Sequence, residues 1–389
     1  MQTYRNSKSC LFIVFYRKIH NLKKIYQIQP SMDESEKKEL LSVIDSGWFT
    51  EAKKTKEFEK IFAKFTGSRY ACAITSGTAG LYLGLNALGI KQGDEVIVPD
   101  LTFVASPNSV QANNAKPVLI DIEPDTLNLD TNILERKITK KTKAIMTVNF
   151  NGRTTNMKIL REIAQKNNLK LIEDAAHSLG SYYGKKHQGN LSDIGVFSFS
   201  TPKIITTGQG GMIVTNNKKL YERCMELKDF GRKIGAKKNM MSAFDHHIIG
   251  QNFKFTEFQA AVGISQMKKL SSRIKIKKKM FKRYQEELEN ISDIEFVGTD
   301  LKKITPWMTD IILKNKNTRL KLITFLKKNN IETRIFYPSI HKLKPYLTND
   351  KKFPISSDIS DRGLWLPSSI TLKENQIGFI TKQIKKFFN

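Results

Sequence analysis

The sequence predicts an α/β fold, with a mostly parallel sheet in a large domain and a smaller α+β domain at the C-terminal end. Short apolar runs such as "EVIVP" (95–99) and "LKLI" (169–172) alternate with longer amphipathic runs. Strands that are apolar throughout are buried on both faces, and strand–helix alternation is typical of parallel sheets. A length of 389 residues suits one large domain and a smaller second one.

Regular alternation begins with two helices. The first is predicted over 31–47, with Ser31 as N-cap and Gly47 as its stop, and the second over 56–67. Strands and helices then alternate as far as about residue 175. The predicted strands are "ACAI" (71–74), "EVIVP" (95–99), "KPVLIDI" (116–122), "KAIMTVNF" (143–150) and "LKLIEDA" (169–175), and the predicted helices cover 76–89, 103–114 and 157–168.

From about residue 255 the pattern becomes helical and basic, and a smaller unit follows. Its predicted strands are "PWMTDIIL" (306–313) and "IETRIFY" (331–337), and its closing helix covers 374–388. The divisions expected are an N-terminal extension outside the fold (1–30), a large domain (31–265) and a small domain (266–389). The extension has a basic start and a short apolar run, but it lacks the small-residue cleavage site of a signal peptide.

The charge balance is strongly basic, with 65 Lys and Arg against 37 Asp and Glu. Such an excess is found in proteins that bind nucleic acid or anionic membranes. Here the lysines are scattered and no nucleic-acid recognition motif appears. The densest run, "RIKIKKKMFKR" (273–283), is predicted to be an exposed helix. We therefore expect no nucleic-acid partner.

Three scattered cysteines, Cys10, Cys72 and Cys224, lack the spacing of a metal site. This usage predicts a reducing compartment, the cytoplasm, with neither a disulfide framework nor a bound metal. No apolar run approaches the roughly 20 residues that a membrane-spanning helix needs.

Chemically distinctive residues follow the predicted strands. In parallel sheets, ligands bind at the carboxyl ends of strands. Ser76-Gly77-Thr78 opens a helix after "ACAIT", where backbone N–H groups and hydroxyls suit a phosphate. Phe103 follows "EVIVP", Asp174 ends the "LKLI" strand, and Lys203 stands after "GVFSF" with no charged neighbour close in sequence.

Each of these features also has an ordinary structural interpretation. Phe103 suits a core, Asp174 suits a helix cap, and Lys203 could extend its amine to solvent. Together, in this order, they fit pyridoxal 5'-phosphate (PLP). A desolvated lysine is a nucleophile toward an aldehyde, and a carboxylate at a strand end can hold a pyridine nitrogen protonated.

Five segments resemble the sugar aminotransferases of the DegT/DnrJ/EryC1/StrS family, which are PLP enzymes of the type I aminotransferase fold. They are "ITSGTAGLYLGLNALGI", "DEVIVPDLTFVASPNSV", "LIEDAAHSLGSYYGKKHQG", "SDIGVFSFSTPKIITTGQGGMIVTN" and "GQNFKFTEFQAAVGISQMKKL". The resemblance extends from about residue 30 to the end of the chain.

The resemblance implies a role for each matching residue. Lys203 would bond covalently to the cofactor, and Asp174 would pair with its pyridine nitrogen. Gly77, Thr78 and Ser198 would bind the phosphate, Phe103 would stack on the ring, and His177 would lie beside the phenolic oxygen. Asn252 would reach the phosphate in a neighbouring subunit, which implies a homodimer with composite sites. The substrate-contacting residues implied are His341, Tyr337 and Lys254.

One loop departs from the family pattern. Many relatives have His where this chain has Asn149, followed by Gly-Gln where it has Gly152-Arg153. The departure leaves the substrate contacts of this loop open. Relatives with histidine in place of the lysine carry out deoxygenation, a reaction that Lys203 disfavours.

The resemblance implies amino transfer from glutamate to a nucleotide-linked 4-keto-6-deoxyhexose, in amino-sugar and polysaccharide biosynthesis. Two alternatives remain at this point. One is a 3-keto-sugar aminotransferase, and the other is a regulator that binds PLP without turnover. The nucleotide and the sugar stereochemistry are left undecided by the sequence.

Overall fold

The computed structural model of the chain describes residues 24–235 and 244–389. Its centre is a seven-stranded sheet of order β1-β9-β8-β5-β4-β2-β3, in which β9 alone runs antiparallel to its neighbours. The mostly parallel α/β fold is therefore confirmed. The strands of this sheet are β1 (Tyr70–Ile74), β2 (Glu95–Pro99), β3 (Lys116–Ile120), β4 (Thr142–Val148), β5 (Lys170–Asp174), β8 (Ile194–Ser198) and β9 (Gly211–Thr215).

A four-stranded antiparallel sheet of order β10-β11-β13-β12 forms the C-terminal unit. Its strands are β10 (Ile294–Glu295), β11 (Asp310–Leu313), β12 (Arg334–Ile335) and β13 (Gly363–Trp365). A two-stranded ribbon, β6 (Tyr182–Tyr183) and β7 (Lys186–His187), lies between β5 and β8 in the sequence.

The described residues form ten α-helices. They are α1 (Glu34–Ser46), α2 (Lys53–Thr66), α3 (Gly77–Ala87), α4 (Ala105–Ala112), α5 (Met157–Lys166), α6 (Lys218–Lys228), α7 (Glu257–Leu288), α8 (Lys316–Lys328), α9 (Pro354–Arg362) and α10 (Glu374–Phe388). Among these residues, no helix combines the length and the apolar character needed to cross a membrane.

The start of α1 differs from the prediction. Its N-cap is Asp33, two residues after Ser31, because the Asp33 carboxylate accepts a hydrogen bond from Ser35 N at 2.9 Å. Glu36 completes a capping box by accepting from Asp33 N at 2.7 Å. The predicted stop is confirmed, since Gly47 caps the helix with a left-handed φ of 65°.

Helix α7 is 32 residues long and runs across the boundary predicted at 265/266. Its first half packs on α1 and α2, and its later part contacts α10. The basic run within it was predicted to be exposed, but Arg273 and Lys277 are buried. Arg273 donates to the backbone carbonyl of Ile204, which follows Lys203 by one residue.

Residues 24–30 belong to the fold, so the extension expected over 1–30 does not include them. Ile25 is buried in the C-terminal core and pairs with Ile331 in a parallel β-bridge. Gln27 is also buried, and its amide donates to the carbonyl of Leu366 at 3.3 Å. The rest of the expected extension lies outside the described residues.

An aromatic core supports the segment that carries Lys203. The rings of Phe58, Phe62 and Phe199 pack together with centroid separations of 5.3–6.2 Å. Ile204 and Ile205 are buried in the same cluster. The lysine is therefore anchored by the two apolar side chains that follow it.

Candidate active site

A cavity of about 280 Å³ opens at the carboxyl ends of β1, β2, β5 and β8. This is the edge where parallel sheets bind ligands. The structure brings eight of the predicted site residues together in its walls: Gly77, Thr78, Phe103, Asp174, His177, Ser198, Lys203 and Tyr337.

One end of the cavity is formed by the first turn of α3. Ser76 caps this helix by accepting from Ala79 N at 3.1 Å, and Gly77 and Thr78 follow in the first turn. The first N–H groups of a helix have no partner within the helix and attract anions. A Cβ atom on Gly77 would lie only 3.0 Å from the Cβ of Ser198, so a larger residue would crowd the serine. Together these groups form a cradle of N–H and hydroxyl donors.

Asp174 ends β5 with its carboxyl group buried. Ser106 Oγ donates to Oδ2 at 2.8 Å, and Ala176 N donates to Oδ1 at 3.2 Å. Burial raises the pKa of the Asp174 carboxyl, and these hydrogen bonds and the charge of Lys203 oppose that rise. A buried carboxylate is costly unless a cation meets it, so this carboxylate suits a cationic ligand.

The neighbouring carboxylate has a different environment. Glu173 points to the opposite face of β5, where it accepts from the N–H groups of Gly189 and Leu191 at 2.8 Å each. Asn149 Nδ2 donates to it at 3.0 Å. The residue that replaces the usual histidine therefore holds Glu173 and does not line the cavity. Glu173 is a structural carboxylate that organises the loop before β8.

Arg153, the second departure from the family pattern, is also buried. Its guanidinium pairs with Asp310, at the start of β11, and donates to Thr299 Oγ1 at 3.0 Å. The side chain thus ties the end of the central sheet to the C-terminal sheet. Like Asn149, it lies outside the walls of the cavity.

Lys203 is partly buried, and its amine faces the cavity. Burial lowers the pKa of this amine to about 7, Asp174 acts to raise it, and Arg334 lowers it further. An ordinary lysine is almost fully protonated at neutral pH. Lys203 therefore has a substantial neutral fraction near pH 7, and the neutral amine is the form that attacks an aldehyde or accepts a proton.

His177 lies deep in the cavity wall. Its ring stacks on Trp307 with centroids 3.9 Å apart, and Tyr337 Oη lies 3.4 Å from Nε2. Burial lowers the pKa of the imidazole well below its usual value, and the charges of Lys203 and Arg334 add to this effect. Nδ1 is buried without a hydrogen-bond partner. A neutral imidazole with one unpaired nitrogen is suited to a polar ligand atom.

Asn252 and Lys254 do not line the cavity of their own chain. Asn252 is exposed and forms a backbone bridge with Asp229. Lys254 Nζ lies 2.9 Å from the carboxylate of the same aspartate. The segment between them runs beside the end of β1, where Thr75 N donates to Phe253 O at 3.3 Å.

His341 is buried outside the cavity. Its Nδ1 lies 2.6 Å from Asp100 Oδ2, and its Nε2 lies 2.7 Å from Asp350 Oδ1. Both ring nitrogens therefore already have carboxylate partners. In this arrangement His341 holds the segment after β12 against the end of β2, and the substrate contact implied for it stays a prediction.

Among the residues of the site that the sequence did not indicate are Ser106, Arg334 and Trp307. Ser106 bonds to Asp174 from the first turn of α4. Arg334 and Trp307 both line the cavity. A signal was available for Arg334, because it precedes Tyr337 by three residues in a predicted strand. Trp307 looked like an ordinary core residue of the "PWMTDIIL" strand, and nothing in that pattern indicated the cavity.

The cavity fits PLP by the chemistry of its donors. The N–H and hydroxyl cradle at α3 suits the phosphate, the buried Asp174 suits a protonated pyridine nitrogen, and Lys203 suits the aldehyde. His177 offers its unpaired nitrogen, and the half-exposed ring of Phe103 offers an aromatic face. The fold and this site define a PLP-dependent aminotransferase of the type I fold, which works through the PLP and PMP forms of its cofactor.

Comparison with known proteins identifies the family. The family model of the DegT/DnrJ/EryC1/StrS aminotransferases matches residues 30–385, and the chain belongs to this family. The GDP-perosamine synthase of Escherichia coli O157:H7 is 36% identical over 370 residues, which cover 95% of this chain and 100% of that protein. The GDP-perosamine synthase of Vibrio cholerae is 36% identical over 366 residues, with coverage of 93% and 98%.

Solved structures agree with this assignment. The PMP form of Spr1654 from Streptococcus pneumoniae superposes with a TM-score of 0.88 at 25% identity, covering 94% of this chain and 98% of that one. Helicobacter pylori PseC, an aminotransferase involved in the biosynthesis of pseudoaminic acid, superposes with a TM-score of 0.85 at 27% identity. The coverage in that case is 94% of this chain and 99% of that one.

Proposed function

We propose that this chain transfers the amino group of glutamate to the C4 ketone of a nucleotide-linked 4-keto-6-deoxyhexose, in the biosynthesis of a surface polysaccharide or glycan. The observation that carries the proposal is that the amine of Lys203 and the buried carboxylate of Asp174 face the same cavity, where burial lowers the pKa of the amine. The relatives named GDP-perosamine synthase, at 36% identity over nearly the whole chain, support a C4 amino sugar as the product.

The proposed chemistry divides between the cofactor and the protein. PLP supplies an electron sink for the charge that develops when a proton leaves the substrate carbon. Asp174 holds the proton on the pyridine nitrogen, because a buried carboxylate is stabilised by a cationic partner. Lys203 Nζ accepts the proton from the donor carbon and later returns a proton on the sugar side. The net reaction converts glutamate and the keto sugar into 2-oxoglutarate and the amino sugar.

The binding roles follow the donor groups in the cavity. Gly77, Thr78 and Ser198 hold the phosphate, because they provide N–H and hydroxyl donors at a helix N-terminus. Phe103 covers one face of the cofactor ring. The unpaired Nδ1 of His177 forms a hydrogen bond with the phenolic oxygen of the cofactor, as donor or as acceptor. Tyr337, which contacts both Phe103 and His177, faces the substrate side.

A homodimer with composite sites is part of the proposal. Large apolar side chains are exposed on the chain shortly before Asn252 and next to Phe49, which stacks on Phe258, and exposed apolar surface is typical of an interface. Trp48 is 59% exposed, Phe244 77% and Ile249 91%. Asn252 and Lys254 lie outside their own cavity, which suits residues that contribute to the site of a second copy.

A panel of keto-sugar nucleotides assayed with glutamate tests the function. The panel should contain 4-keto-6-deoxy and 3-keto-6-deoxy sugars on GDP, UDP and dTDP. We expect the highest kcat/KM for a 4-keto sugar, with 2-oxoglutarate formed in equal amount. A higher kcat/KM for a 3-keto sugar would mean that the amino group is transferred to C3 and not to C4. Turnover with none of them, in a protein that carries bound PLP, would favour the regulator.

A further inference from the structure

The ring of Trp307 lies against the reactive amine. Its side chain is almost fully buried, and its ring centroid lies 4.1 Å from Lys203 Nζ. The same ring stacks on His177 at 3.9 Å with an interplanar angle of 24°. The indole therefore contacts two residues of the cavity at once.

Two hydrogen bonds fix Trp307 relative to Lys203. Its Nε1 donates to the carbonyl of Pro202, the residue before the lysine, at 2.7 Å. From α7, Lys277 Nζ donates to the carbonyl of Trp307 at 2.7 Å. The indole is thus tied to the backbone of the lysine loop, and the backbone of Trp307 is tied to the long helix. Its position relative to the amine is set by the fold.

The ring changes the pKa of the amine in the direction opposite to the effect of burial. Desolvation favours the neutral amine, whereas the negative face of an indole attracts an ammonium group. The charges that shift the pKa of Lys203 are Asp174 from β5, which favours the ammonium, and Arg334 from β12, which disfavours it; Arg273 and Lys277 from α7 also lie beside the lysine. His177 is buried and has its pKa lowered. Trp307 thus stabilises the protonated amine without placing a second negative charge in the cavity.

We propose that Trp307 is a positioning residue that holds the ε-amine of Lys203 whenever this amine is not bonded to the cofactor. The inference rests on the proposed amino transfer, in which Lys203 carries a proton while it is free. A free lysine side chain has four rotatable bonds, and confining it costs conformational entropy. A fixed ring beside the amine keeps it near the reacting carbon, which raises the rate of proton transfer.

The test uses the full-length holoenzyme in its PMP form, in which the Lys203 amine is free. This form can be made by adding PMP, so the test does not require amino transfer to work. The variants are Trp307→Leu, which removes the ring, and Trp307→Phe, which retains a smaller one. Trp365→Phe is the matched control, since Trp365 is a buried indole 5.5 Å from Trp307 for which no contact with Lys203 is seen.

The first measurement is the pH profile of Lys203 labelling by a small amine-reactive reagent, with the labelled peptide identified by mass spectrometry. Losing the ring should lower the apparent pKa of Lys203 by about 0.5–1 unit in Trp307→Leu, because the ammonium form loses its cation–π contact. Trp307→Phe should show a smaller shift, and Trp365→Phe should show none. Damaged packing alone would not rank the pKa shifts of the three variants in this way.

The second measurement is the single-turnover conversion of the PMP form by 2-oxoglutarate. The maximal rate should fall about tenfold in Trp307→Leu, and the half-saturating concentration of 2-oxoglutarate should stay nearly constant, because orientation of the amine affects the proton transfer and not the binding. Trp307→Phe should recover part of the rate. If the wild-type protein fails this conversion, the proposed function fails, while the labelling profile still decides the role of Trp307.

Two results would overturn the inference. One is a wild-type labelling profile in folded Trp307→Leu or Trp307→Phe. The other is an equal shift in Trp365→Phe, which would mean that any change in the aromatic cluster moves the pKa. If Trp307→Leu does not fold, the comparison of Trp307→Phe with Trp365→Phe decides whether Trp307 holds the amine or only packs in the aromatic cluster.

Discussion

Two adjacent carboxylates at the end of β5 have opposite environments. Asp174 faces the cavity and has a hydroxyl and one N–H as partners, whereas Glu173 faces the loop before β8 and accepts two backbone N–H groups and an amide. Successive residues of a strand point to opposite faces, so one step in sequence separates a ligand-binding group from a structural group.

Asp174→Asn should keep the fold and lose turnover. An amide cannot stabilise a protonated pyridine nitrogen by charge, so kcat should fall by about two orders of magnitude or more, at 1.36 kcal/mol for each factor of ten. Steady-state kinetics on protein with verified cofactor content measures this. The adjacent Glu173→Gln is the control: it should lower the melting temperature, with kcat of the folded fraction within a few-fold of wild type. A wild-type kcat in Asp174→Asn would remove Asp174 from the mechanism.

The sequence indicated the residues whose chemistry is unusual for their position. Lys203 has no charged neighbour close in sequence, and Asp174 comes at the end of an apolar strand; both features were visible without a structure. Trp307 and Ser106 were missed because an indole in a core strand and a serine in a helix have ordinary structural uses. Their importance comes from contacts across 104 and 68 positions of the chain, which no local pattern contains.

The segment formed by residues 24–30 is part of the C-terminal core. Ile25 N donates to Asn330 O at 2.8 Å, and Glu332 N donates to Ile25 O at 2.9 Å. From the sequence, this segment was predicted to lie outside the fold, because a single short apolar run shows no periodicity. Its pairing partner lies about 300 residues away.

Two truncations should therefore behave differently. Removing residues 1–23 retains Ile25 and should leave the melting temperature nearly unchanged. Removing residues 1–30 deletes Ile25 and Gln27, and burial of an isoleucine side chain alone is worth about 1.5–3 kcal/mol. We expect a clear fall in melting temperature for the longer truncation, measured by thermal unfolding. Equal stability of the two truncated proteins would mean that the β-bridge contributes nothing.

At the scale of the whole molecule, the alternating strands and helices predicted the central sheet and the edge where the site lies. The reversed direction of β9 and the strand β13 were not predicted, because strand direction depends on partners distant in sequence. The domain boundary was also indistinct, and α7 explains why: one continuous helix packs against both α1 and α10. A helix that packs against both units shows no break in its sequence pattern at the boundary between them.

The proposed homodimer with composite sites makes a separate prediction. Lys203→Ala and Asn252→Ala should each be impaired as homodimers, but in a heterodimer one site receives both lesions and the other receives none. Mixing the two variants with subunit exchange should restore part of the wild-type activity. Each variant must be shown to form dimers, and exchange must be verified with labelled subunits. Activity that stays at the sum of the two homodimers would place Asn252 in its own subunit's site or in none.

The half-reaction with glutamate shows whether Lys203 transfers amino groups in this cavity. Purified protein with bound PLP is mixed with glutamate in the absence of any sugar, and 2-oxoglutarate is counted per active site. We expect one 2-oxoglutarate per site, with the cofactor converted to PMP, and none from Lys203→Ala. No conversion in wild-type protein with PLP bound at Lys203, or equal conversion by Lys203→Ala, would mean that Lys203 does not transfer amino groups here.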